Sequence, residues 1–181
     1  VSVGDAGLSA RAAQVLYAYA RAVDEGDIEA LRALALPDVF LTRSDGTKQG
    51  IEVFLDLYRA FAASPVLASK HAITNVQAFP EPDGDVRALS YFHATMFDPG
   101  APDQTAPDQT APDQTAADQT AADQTTQTRL VIGQYSDSLR EVDGQLRFSH
   151  KRITVERVVA IPAGTSEYAG VPPVPAGTTI R

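Results

Sequence analysis

Few residues in this chain can move a proton near neutral pH: there are three histidines, His71, His93 and His150, and no cysteine. Imidazole is the side chain whose ordinary pKa lies nearest neutrality, and a carboxylate bonded to one ring nitrogen fixes the tautomer and makes the other nitrogen a general base. Asp24 is a candidate carboxylate, because it closes a helix whose apolar stripe faces the interior and directly precedes the break at Glu25-Gly26. Its other reading is a helix-end residue that meets solvent or the N-terminus of the next helix. His71 and His93 lie on separate strands and are either catalytic groups or hydrogen-bonded structural residues. Both are odd-numbered, so they share a sheet face only if their hairpin pairs residue numbers of equal parity. The turn between Phe79 and Val86 leaves that register open. His150 shares parity with Leu146 and Phe148, which points to a buried or interface position.

Phenols are the second resource. Tyr19, Tyr91 and Tyr135 are candidates to donate a hydrogen bond to an oxygen that gains charge, or else serve as aromatic core. Asp137 either faces a cavity with Tyr135 or pairs with Arg152 on the next strand. Phe54 and Tyr58 complete the candidate substrate-binding set. The histidines show no paired spacing of the kind that metal sites use, so no metal is expected. No phosphate-binding loop, dinucleotide fingerprint or nucleophile elbow occurs, and the expected chemistry is cofactor-free.

The elements that must position these groups follow from periodicity. Ser9–Glu25 carries Ala12, Val15, Leu16, Tyr19 and Val23 on one helical stripe, with Ser9 as N-cap and Gly26 as stop. Asp27 caps a short helix over Ile28–Leu36 that Pro37 ends. Val39–Arg43 is a strand followed by a turn at 44–47, and Ile51–Ala63 is an amphipathic helix through Phe54, Leu55, Tyr58 and Phe61. The period then changes, and Lys70–Phe79, Val86–Phe97, Arg129–Glu141 and Gln145–Val159 read as strands of an antiparallel meander. Three helices followed by a meander make an α+β layer fold. Val86–Phe97 is apolar on both parities, which predicts helices over one face and a second copy of the chain over the other, hence a homodimer.

Between the middle strands, Ala-Pro-Asp-Gln-Thr occurs three times and Ala-Ala-Asp-Gln-Thr twice, over Ala101–Thr125. A period of five fits neither helix nor strand, and the unit has no large apolar side chain, so residues 98–128 read as an exposed loop interrupting one domain over 1–160. Residues 161–181 form a Pro/Gly-rich tail. The repeat adds five aspartates and no basic residue, so most of the net charge of −8 resides there. An acidic chain without a basic stripe argues against nucleic-acid and anionic-membrane partners. No apolar run is long enough to span a bilayer and Val1–Ser9 has no signal-peptide pattern, so a cytoplasmic protein with a small-molecule partner is expected.

The order helix–helix–strand–helix–meander, together with four stretches, resembles the nuclear transport factor 2 superfamily and specifically its SnoaL-like branch. Those stretches are Tyr19-Ala-Arg-Ala-Val-Asp-Glu-Gly-Asp27, His71-Ala-Ile-Thr-Asn75, Ser90-Tyr-Phe-His-Ala94 and Gly133-Gln-Tyr-Ser-Asp137, with Asp143–Arg152 similar to the last hairpin. The resemblance covers about residues 8–159 outside the repeat. It implies a cone-shaped curved antiparallel sheet wrapped on three N-terminal helices, a deep pocket, and dimers. Polyketide cyclases, dehydratases, isomerases and non-catalytic subunits occur in the superfamily, so an acid–base cyclase, dehydratase or isomerase is implied. A shape-driven cyclase and a ligand-binding member are the alternatives. By resemblance to the scytalone dehydratase-like members, Asp24 matches an aspartate that orients a histidine, and His71 and His93 match two pocket histidines. Val23 stands where those members carry a tyrosine.

Overall fold

Asp5, not Ser9, starts the first helix: its side chain accepts from the Leu8 backbone N–H at 2.8 Å. Ser9 lies inside that helix and its Oγ accepts from the Ala78 N–H instead, tying the helix to the sheet. The computed structural model describes residues 4–98 and 127–161. The repeat at 101–125 and the tail beyond Ile161 lie outside the described residues. Helix α1 runs Ala6–Glu25 and ends where Gly26 adopts φ +67°, a left-handed conformation that costs glycine nothing. Asp27 caps α2 (Ile28–Ala33) by accepting from the Ala30 N–H at 2.9 Å. α2 is shorter than its sequence pattern suggests, because the chain enters β1 (Ala35–Arg43) before Pro37. Pro37 falls in the irregular stretch between Ala35 and Phe40 where regular pairing is interrupted, which suits a residue with no N–H to donate.

The turn after β1 opens a further short strand, β2 (Gly46–Gln49), which the sequence reading did not separate from the turn. α3 follows over Ile51–Ala62 and buries Phe54, Leu55 and Tyr58. Then come β3 (Ala68–Pro80), β4 (Val86–Asp98), β5 (Gln127–Val142) and β6 (Gln145–Ile161). Asp143 and Gly144, both at positive φ, make the two-residue turn between β5 and β6.

The sheet is six-stranded, curved and not closed, in the order β2-β1-β6-β5-β4-β3. All pairs are antiparallel except β1 with β6, which run parallel. The helices cover one face, and the core lies between them and that face, from Ala12, Leu16 and Tyr19 of α1 to Phe92, Tyr135, Leu139 and Phe148 of the sheet. Gly133 has a specific reason to be glycine. A Cβ there would lie 2.1 Å from the Thr154 carbonyl and 2.7 Å from the Phe92 ring, which crosses directly over it.

Regular alternation breaks at two places that matter for the site. In β3, Gln77 pairs with Leu89 but Thr74 pairs with Tyr91, so two residues, Asn75 and Val76, oppose Ser90 alone. Asn75 takes φ +55° there, which asparagine tolerates better than most residues. In β6, Phe148 pairs with Leu139 but His150 pairs with Ser138, leaving Ser149 as the extra residue. Each bulge exchanges the inward and outward sets of side chains beyond it.

Candidate functional site

The β3 bulge decides where His71 points. Beyond it, Ser69, His71 and Ile73 turn toward the helices, with His71 opposite Ala94. Ala72 is the residue paired with His93, so the two histidines lie on opposite faces. His93 is exposed on the outer face, and Tyr91 beside it is 52% exposed. The resemblance implies a pocket position for His93, and the sequence makes Tyr91 a candidate donor or core aromatic; the register puts both on the outer face, away from the pocket.

Asp24 reaches His71 from the end of α1. Its carboxylate accepts from His71 Nδ1 at 2.6 Å, from the His71 backbone N–H at 2.8 Å and from Ser69 Oγ at 2.7 Å. The third contact holds the carboxylate and the second locks it to the strand, so the imidazole has one orientation. An aspartate facing Nδ1 sets the tautomer with its proton on that nitrogen and leaves Nε2 with a free lone pair. Asp24 and His71 side chains are each only 9% exposed.

His71 borders a cavity of about 420 Å³, within the size range of small-molecule sites. Val23, Leu57, Phe61, Phe92, Met96 and Val131 make its walls apolar. Tyr19, Tyr58 and Tyr135 also line it. Tyr58 donates to the Tyr19 oxygen at 3.1 Å, and Tyr19 meets both other rings edge-on at 5.8 Å. Burial pushes all three phenols well above their ordinary pKa, so they stand protonated as donors at neutral pH.

The remaining sequence candidates fall behind the cavity wall. Phe54 is fully buried and packs on the Tyr58 ring at 5.0 Å; it supports the site and does not line it. Asp137 does not line the cavity either, and its side-chain partner is Lys151, not the Arg152 guanidinium. Its Oδ1 takes the Arg152 backbone N–H at 3.0 Å, while the Arg152 guanidinium donates to the Ser136 carbonyl and Ser138 Oγ. His150 is half-buried, bonded to Thr42 Oγ1 at 2.7 Å, and burial lowers its pKa. Lys151 is the residue that sequence reasoning missed. The β6 bulge turns it into the core in place of His150, where it is fully enclosed. Its only advance signal was its place next to an apolar alternation, Leu146 and Phe148, that favoured the other parity.

Among the described residues no group of three or more His, Cys, Asp or Glu side chains converges, and no helix is long and apolar enough to cross a membrane.

A family model described as a SnoaL-like domain matches residues 8–152. No curated protein matches the sequence. Several solved structures share the fold. A hexachlorocyclohexane dehydrochlorinase, LinA type 2, superposes with TM-score 0.67 at 15% identity, over 91% of this chain and 96% of that one. A protein from Novosphingobium aromaticivorans, provisionally assigned as a scytalone dehydratase, gives 0.61 at 16% identity, over 87% and 93%. The protein Aln2 from a Streptomyces species gives 0.60 at 16% identity, over 86% and 95%. At these identities the likeness is one of fold.

Proposed function

The chain belongs to the SnoaL-like domain family, and from that premise we propose that it is a cofactor-independent enzyme of lyase or isomerase type. Its substrate in this reading is a hydrophobic, oxygenated small molecule of polyketide type. The observation that carries the reading is the meeting, in one apolar cavity, of an imidazole oriented by a carboxylate and a cluster of protonated phenols. His71 Nε2 takes a proton from a carbon beside a carbonyl. The C–H electrons move toward the carbonyl oxygen, and a phenol donates to that oxygen as its charge grows. Asp24 stabilises the imidazolium that forms. Return of the proton to another carbon gives isomerisation; its transfer to a departing hydroxyl gives dehydration; attack of the enolate carbon on a second carbonyl gives cyclisation. The names dehydratase and dehydrochlorinase, borne by two of the structural neighbours, describe eliminations that a base of this kind would begin. His93 takes no part in this scheme, and the acid role passes to Tyr19 or Tyr135. The outer sheet face with Tyr91, His93 and Phe97 is proposed as the contact of a homodimer.

Proton abstraction is testable without the natural substrate. In D2O, 2-tetralone, an apolar bicyclic ketone, should exchange its α-hydrogens faster with the protein than without it, followed by NMR. His71→Ala should remove about 100-fold or more of that acceleration. If 2-tetralone binds but exchanges no faster than in buffer, the catalytic reading fails and ligand binding without catalysis is the better account.

A further inference from the structure

The proposed chemistry leaves one buried ion pair without a task. Lys151 and Asp137 are both enclosed, with 0% side-chain exposure each, and Nζ donates to Oδ2 at 2.9 Å. As a stabiliser such a pair is weak, because desolvating two charges offsets their attraction and apolar residues of similar volume often serve as well. Its surroundings show a more specific arrangement. The Lys151 ammonium lies 3.3 Å from the Tyr135 ring centroid, 4.2 Å from that of Tyr19 and 5.0 Å from that of Phe148. Phe92 stacks on Tyr135 at 4.4 Å and 11°, so Phe92 and the ammonium must occupy opposite faces of that ring. Around the ammonium, α1 supplies Tyr19, β5 supplies Asp137 and Tyr135, β6 supplies Phe148, and β1 sets Leu41 opposite it in register. Asp137 is the charged group among these.

Asp137 has both oxygens engaged, one by the Lys151 ammonium and one by the Arg152 N–H. Tyr19 and Tyr135 present their ring faces to the cationic end of the pair, while the Asp137 charge behind it works the other way and raises the pKa of all three phenols. A cation against a ring face draws electron density from it and strengthens the phenol as a donor. The phenols also have a proton to spare. Three hydroxyls joined in a chain have two links between them, so at least one O–H remains for a ligand, and Tyr58 to Tyr19 is one such link.

We propose that the Lys151–Asp137 pair is the electrostatic backing of the Tyr19–Tyr58–Tyr135 cluster, and that this end of the cavity seats a ligand oxygen that carries or develops negative charge, an enolate or a phenolate. Lys151 is thus a positioning residue, acting through the tyrosines without touching the ligand. This rests on the cavity being a ligand site, as in the acid–base reading, but it does not need turnover to be tested.

The test compares 2-naphthol with naphthalene, which has the same ring system without the oxygen, on the full chain at pH 7. Free 2-naphthol is neutral there. The wild-type protein should bind 2-naphthol about tenfold or more tightly than naphthalene and show the naphtholate absorption band in the complex. Asp137→Leu/Lys151→Met removes both charges and leaves the cavity wall in place. It should bind naphthalene as the wild type does, while losing most of the preference for 2-naphthol and the naphtholate band. Asp137→Asn/Lys151→Gln, a neutral pair that can still hydrogen-bond, serves if the apolar pair does not fold, and the same loss is expected. A variant that keeps both the preference and the band overturns the role of the ion pair. Wild-type protein that binds naphthalene and 2-naphthol equally also overturns it, while leaving the cavity as a binding site. Failure to bind either compound overturns the cavity reading and this proposal with it.

Discussion

Replacing Asp24 by asparagine should move a proton within His71. The carboxylate accepts from His71 Nδ1 and Ser69 Oγ through Oδ1, and from the His71 backbone N–H through Oδ2. An asparagine has a single oxygen to offer. If that oxygen takes the Oδ2 place, the backbone N–H stays bonded and the amide NH2 faces Nδ1 and Ser69 Oγ, both of which can accept. The reverse orientation sets an N–H against the backbone N–H and strands a buried donor, at a cost of about 1–3 kcal/mol. The first orientation is therefore favoured roughly 5- to 150-fold, and it requires Nδ1 to be bare and Nε2 to carry the proton. The ring would then point an N–H into the cavity and lose its capacity as a base, at about 10²- to 10⁴-fold in rate. Stability should fall by only about 1–2 kcal/mol, the loss of charge assistance in bonds that are otherwise replaced. With ¹⁵N-labelled histidine, two-bond proton–nitrogen correlations report which ring nitrogen is protonated. His71 should show a protonated Nδ1 in the wild type and a protonated Nε2 in Asp24→Asn, with His93 and His150 as unchanged references. A wild-type ring with the proton on Nε2, or a variant that keeps it on Nδ1, would refute the assignment of His71 Nε2 as the base.

Further outcomes follow from the packing and charges. Gly133→Ala should lower stability by about 1–3 kcal/mol in urea denaturation, since its Cβ would meet the Thr154 carbonyl at 2.1 Å, and an unchanged midpoint would contradict that crowding. Burial works against the Asp85 carboxylate but the Arg140 and Ser149 hydrogen bonds outweigh it and hold its pKa down, as Arg129 does for Asp98. Both carboxyls bind protons more weakly folded than unfolded, so their stability is present above the ordinary carboxylate range and lost on acidification, and Asp85→Asn should flatten that acid limb. Burial depresses Lys151 to about 8 against an unfolded 10.5, so its ammonium binds its proton more weakly when folded; stability gains from this group as pH rises through that window, and Asp137→Leu/Lys151→Met should abolish the gain. Tyr91→Asp on the exposed sheet face should shift sedimentation at micromolar concentration toward monomer, and a wild-type protein that is already monomeric would remove the dimer proposal.

The helices and four long strands were legible because their apolar spacing is long and regular, and the end of α1 was legible because Gly26 supplies the conformation that a stop requires. The edges of elements were less so. Asp5 and Ser9 are both good cap residues, and only the Ala78 N–H, distant in sequence, explains why Ser9 is used elsewhere. Faces were hardest. Composition does not encode a one-residue slip in pairing, so the faces of His71 and Lys151 are not legible, and β4 carries apolar residues of both parities, so nothing in it marks His93 and Tyr91 as outward. Asn75 is the single local hint, as a residue tolerant of positive φ within an otherwise regular strand. Ser149 gives none, because its role is visible only through the Asp85 side chain that it meets from another strand.

The position of β6 between β1 and β5 has a consequence for the order of events during synthesis. The last described strand is not an edge but the seam that joins the N-terminal layer to the meander. Until Gln145–Ile161 leaves the ribosome, β1 has no partner on that side, and the apolar interior of β5 stands open. The helices and the first hairpins can form early, since their contacts are local, but the sheet can be united only by pairings that span more than a hundred residues. Nascent chains paused before that strand would expose sticky surface for as long as the pause lasts, and they are where chaperone dependence and aggregation should concentrate.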